Sequence, residues 1–68
     1  MAKNKKLSWH DRCAKLGIAV RFSFLREIKA ATGCGDAEAE TVFAEAVILG
    51  QIVKVDDWEG VGVYEMKK

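Results

Sequence analysis

A small α+β fold, three short helices closed by a C-terminal β-hairpin, is what this sequence predicts. Three observations predict it. Apolar residues recur at helical spacing in three separate windows, Gly17, Gly33 and Gly50 each fall just past such a window, and from Ile52 onward the apolar residues become mostly β-branched in two short runs. At 68 residues and 7.5 kDa, with 50% hydrophobic and 31% charged residues and no Pro, the chain has the composition of one folded domain. A domain of this size buries only roughly 60% of the surface its unfolded form exposes, leaving little interior for an enclosed active site. A multi-domain enzyme is excluded and a non-catalytic role is expected.

Residues 1–7 hold Lys3, Lys5 and Lys6 and read as a basic flexible arm, with the folded domain expected over 8–68. Ser8-Trp9-His10-Asp11 fits an Asp variant of the capping box, and Trp9, Cys13, Leu16 and Val20 follow at near-helical spacing, so the first helix is predicted from about Trp9 to Leu16. Ile18 to Phe22 reads as a brief extended segment. Ser23 is placed to cap a second helix of about nine residues whose apolar face is Phe24, Leu25, Ile28 and Ala31. Asp36 is the expected N-cap of a third helix with a core stripe of Ala39, Val42, Phe43, Ala46 and Val47. Ile52–Val55 and Val61–Met66 then read as strands joined by a five-residue turn, Asp56-Asp57-Trp58-Glu59-Gly60.

The formal net charge of +1 conceals a division along the chain. Residues 1–30 carry eight cations (Lys3, Lys5, Lys6, Arg12, Lys15, Arg21, Arg26, Lys29) against Asp11 and Glu27, a net +6. Residues 31–66 carry eight acids (Asp36, Glu38, Glu40, Glu45, Asp56, Asp57, Glu59, Glu65) against Lys54 alone, a net −7. Opposite potentials on two parts of one domain select different partners, or attract one another within the fold.

No nucleophile motif, phosphate loop or calcium loop is present. Cys13, Cys34 and His10 fall short of the four ligands a structural zinc needs, so neither metal nor cofactor is expected, and the two cysteines read as reduced thiols. No apolar run approaches the roughly 18 residues of a membrane span, and a soluble, cytoplasmic protein is the expectation.

The element order resembles that of the winged-helix family, a branch of the helix-turn-helix folds. The resemblance rests on Val20-Arg21-Phe22-Ser23 leading into Leu25 and Ile28, on Ala31-Thr32-Gly33 at the turn, and on Leu49-Gly50-Gln51-Ile52-Val53 opening the wing, and it covers residues 8–66. It implies a three-helix winged helix-turn-helix with a C-terminal β-hairpin wing, and in many members a third helix that reads DNA in the major groove. Here that helix carries Asp36, Glu38, Glu40 and Glu45 and no Lys, Arg, Asn or Gln, so it lacks the side chains that read bases and would repel phosphates.

Around the helix wheel, Ala37, Thr41, Ala44 and Ile48 lie opposite the core stripe, between Glu40 on one side and Glu38 and Glu45 on the other. An apolar centre with an acidic rim suits a basic protein surface, and Asp56, Asp57, Trp58 and Glu59 of the hairpin extend the expected contact. If that surface holds nucleic acid in a host protein or complex, the chain acts as a nucleic-acid mimic. Its size and charge division are similar to those of small phage and mobile-element inhibitors, anti-CRISPR proteins among them. The alternative is a DNA-binding regulator using Lys3, Lys5, Lys6, Arg12, Lys15, Arg21, Arg26 and Lys29 on phosphates. A third reading is a homodimer, basic half on acidic half.

Overall fold

The computed structural model describes residues 9–67; Ser8, the arm lysines and Lys68 lie outside the described residues. The chain runs α1 (Trp9–Ala14), β1 (Ile18–Val20), α2 (Arg21–Thr32), α3 (Asp36–Ile48), β2 (Ile52–Trp58) and β3 (Val61–Met66). The three strands form one antiparallel sheet in the order β1-β3-β2, so this is an α+β arrangement as expected from the sequence. No helix among the described residues is long and apolar enough to cross a membrane.

Helical spacing accounts for the core. Cys13 of α1, Phe24 and Ile28 of α2, and Ala39, Phe43 and Ala46 of α3 meet Ile52 and Met66 from the sheet in one buried cluster, with Trp9, Leu16, Ala19 and Tyr64 packed around it. Phe43 lies at its centre, edge-on to Tyr64 at 5.1 Å between ring centroids and tilted against Phe24 at 6.2 Å. Burying Phe24, Ile28 and Ile52 contributes about 1.5–3 kcal/mol each, the main term that holds so small a domain together. Gly33 ends α2 at φ 76°, a left-handed conformation that costs Gly little, and its N–H donates to the Lys29 carbonyl at 2.7 Å.

Four local expectations differ from the structure. The extended segment is shorter than expected: α2 begins at Arg21, so Phe22 is helical and exposed, and Ser23 lies inside the helix rather than capping it. The N-cap is Val20, with no side-chain cap bond, because pairing of Ile18–Val20 with β3 fixes where the strand ends and the helix begins. At α3 the N-cap is Gly35 and Asp36 is the first helical residue, where its carboxylate faces the positive end of the helix dipole and is drawn to Lys29. Val47, expected in the core, is partly exposed at the end of α3.

The fourth difference concerns the hairpin. β2 continues through Asp56 and Asp57 to Trp58, which pairs with Val61, and the turn is only Glu59-Gly60. Both turn residues have positive φ, 51° and 83°, as a two-residue type I′ turn requires. Val55 is the extra residue of a β-bulge, since Lys54 faces Tyr64 while Asp56 faces Val63. That single inserted residue shifts the side-chain alternation of the rest of β2 and sets Trp58 on the face away from the helices.

Candidate functional site

The outward face of α3 is built as its sequence predicts. With Ala39, Phe43 and Ala46 buried, Ala37, Thr41, Ala44 and Ile48 are exposed on the other side, Ile48 at 81% of its full accessible surface. The Thr41 hydroxyl donates back to the Ala37 carbonyl at 3.2 Å, so it leaves no unsatisfied donor on the strip. Glu38 and Glu45 border the strip, and neither pairs with a cation among the described residues.

The other acids of the C-terminal half divide in two groups. Asp36 pairs with Lys29 at 2.5 Å, and that hydrogen bond, with the lysine's charge, holds its carboxyl below the ordinary aspartate range. Glu40 pairs with Arg21 at 3.1 Å, while the Arg21 guanidinium also sits 5.5 Å above the Phe43 ring. Asp57 pairs with Lys54 at 3.0 Å and raises that lysine's pKa, chiefly through the hydrogen bond. Asp56 accepts the Asp57 N–H at 2.7 Å and has no cationic partner among the described residues, nor does Glu59. The charge division is therefore partly consumed inside the fold, where basic α2 lies against acidic α3.

The same pairs bear on the basic half. Arg12 bonds Glu27 at 2.8 Å, and with Arg21 and Lys29 also engaged, Lys15 in the turn after α1 and Arg26 of α2 are left without a carboxylate among the described residues. Lys3, Lys5 and Lys6 lie outside the described residues.

The structure does not draw the predicted contact residues into one cluster. α3 packs on the beginning of β2, through Ala46 and Ile52, whereas Trp58 lies six residues further along that strand, roughly 20 Å at 3.3 Å per residue. Trp58 is 63% exposed, as an interface anchor requires, but it belongs to the sheet's outer face and not to a turn. Sequence reasoning missed that face, which also carries Ile18 and Val61; the alternating Val61-Gly62-Val63 was its one visible sign.

Shallow depressions also occur among the described residues. One, of about 230 Å³, is lined by Arg12, Lys15, Leu16 and Glu27; another, of about 240 Å³, by His10, Asp11, Ala14, Met66 and Lys67. Among the described residues no three His, Cys, Asp or Glu side chains gather as metal ligands would. Burial pushes the Cys13 thiol up to about 11, with Glu27 adding to the effect and Arg12 opposing it, so Cys13 is an inert core residue. Compared with family models, curated proteins and solved structures, the chain matches none.

Proposed function

We propose that this chain is a non-catalytic binding module of winged-helix type whose α3 outer face docks on a basic protein surface. The observation that carries the reading is the exposed Ala37, Thr41, Ala44 and Ile48 strip flanked by Glu38 and Glu45, two carboxylates that no described cation neutralises. Apolar surface at the centre supplies contact energy, and the unpaired acids select a cationic partner and speed encounter. The element order and the sheet order β1-β3-β2 support the winged-helix scaffold. Where the partner surface is one that normally holds nucleic acid, this face competes for it as a mimic, in the manner of phage-type inhibitors.

Engagement of Arg12, Arg21 and Lys29 in ion pairs makes DNA binding through the first two helices the weaker reading. The deciding experiment is an affinity pulldown from extract of the native host with the wild type and with Glu38→Gln/Glu45→Gln, beside a gel shift on duplex DNA at about 50 mM salt. Loss of one discrete partner in the double variant, with no DNA shift, is the expected result. Equal recovery by both proteins, or a duplex shift that disappears at about 200 mM salt, would count against it.

A further inference from the structure

The outer face of the sheet is a second surface, and it does not depend on the α3 reading. Ile52 and Met66 are opposite each other and buried against the helices, and Tyr64 meets Phe43 on that same side. Alternation therefore sends three rows outward: Ile18-Glu65-Val53, Val20-Val63-Asp56, and Val61-Trp58. Ile18 is 60% and Val61 43% exposed, and no helix among the described residues packs on this side. Six of the eight side chains are large and apolar, a contiguous patch of the kind that marks interaction sites.

The charges on the face identify its occupant. Glu65 stands in the central strand, in a partly exposed ion pair with Lys67 at 3.6 Å, and Asp56 stands in the edge strand with no cationic partner among the described residues. A second copy fits poorly. Stacking two such faces about an axis along the strands sets Glu65 on its own counterpart, and about an axis across the middle row it sets Asp56 on Asp56; like charges so opposed are unfavourable. The bulge at Val55 interrupts the β2 edge, which disfavours extension of the sheet by a further strand.

We propose that this face binds a basic amphipathic helix of a partner protein, apolar along one side with Lys or Arg placed to meet Asp56 in the edge strand and Glu65 at the end of the central strand. The helix supplies the missing layer of the sheet, and the roughly 13 Å that the three rows span along β3 corresponds to about nine helical residues, or two and a half turns.

The test is an NMR titration of the ¹⁵N-labelled chain with a synthetic 14-residue Leu/Lys amphipathic helix, beside a Leu/Glu helix of the same pattern and a Leu/Lys peptide of scrambled order. The expected result is saturable shifts at Ile18, Val53, Val63 and the Trp58 indole with the first peptide only. Ile18→Thr/Val61→Thr, which keeps β-branched strand residues, should weaken binding at least fivefold, and Asp56→Asn/Glu65→Gln about threefold with a shallower salt dependence. Shifts confined to Thr41 and Ile48 would overturn this proposal while supporting the α3 reading. Equal binding of the Leu/Glu or scrambled peptide, absence of saturable shifts, or a free chain that sediments as a dimer through this face would also overturn it.

Discussion

Phe43 of α3 joins α2 to the sheet, and replacing it by Leu tests whether they are held as described. The substitution keeps an apolar side chain of similar reach but removes the ring that meets Tyr64 at 5.1 Å and Phe24 at 6.2 Å and lies 5.5 Å below the Arg21 guanidinium. Each aromatic contact contributes about 0.5–1.5 kcal/mol beyond its buried area, and the change of shape adds less than about 1.5 kcal/mol. The expected loss is about 2–3 kcal/mol. A chain of this length has about 3–10 kcal/mol in total, so the variant should remain folded, whereas Phe43→Ala, at about 3–5 kcal/mol, could remove most of the stability. Equilibrium urea unfolding followed by circular dichroism should show a lower midpoint at unchanged slope, and the melting temperature should fall by about 10–20 °C. A loss below about 0.5 kcal/mol at the same slope would refute the packing argument.

Three further outcomes are expected. Gly62→Ala places a Cβ 3.0–3.3 Å from the Tyr64 ring, so the ring must shift from Phe43; a loss of about 1–3 kcal/mol in urea is expected, with altered Tyr64 ring shifts by NMR, and neither change would mean that the ring has room to give. The folded Cys13 thiol ionises near 11 against 9.0 when unfolded, so its contribution is intact below pH 9 and is lost as pH rises between the two values, because there the unfolded chain holds fewer protons; urea midpoints should fall less steeply over that range in Cys13→Ala, and in native protein at pH 8 a thiol reagent should label Cys34 while sparing Cys13. The Asp36 carboxyl should titrate below its ordinary range by NMR, and Lys29→Ala should return it there; since its folded pKa is lowered, whatever the pair adds to stability is present near neutral pH and disappears in acid as the carboxyl protonates.

Much of the candidate surface was legible because a helix writes its faces at short range. Ala39, Phe43 and Ala46 repeat at spacings of four and three, which places Ala37, Thr41, Ala44 and Ile48 outside before any contact is known. The glycine stops were equally local. Less legible were the caps at Ser23 and Asp36, where a good capping residue was passed over because strand pairing and an ion pair set the start of each helix. The hairpin turn was misread for a related reason: Asp56, Asp57 and Trp58 are poor evidence for a strand until β3 is known to pair with them.

The sequence by itself determined three helices with their buried stripes and a terminal hairpin, properties of residues within about one or two helical turns of each other, and the unequal distribution of charge, which is a matter of composition alone. Tertiary structure decided which acids remain available. Glu40 is quenched by Arg21 and Asp36 by Lys29 because α2 and α3 lie side by side, while Glu38 and Glu45 meet no cation among the described residues. It also decided that the sheet has a bare apolar side, since β1 pairs with β3 across most of the chain's length and one inserted residue at Val55 turns Trp58 outward. Periodicity is set by neighbours along the chain, whereas ion-pair partners and strand register are set by what docks across it.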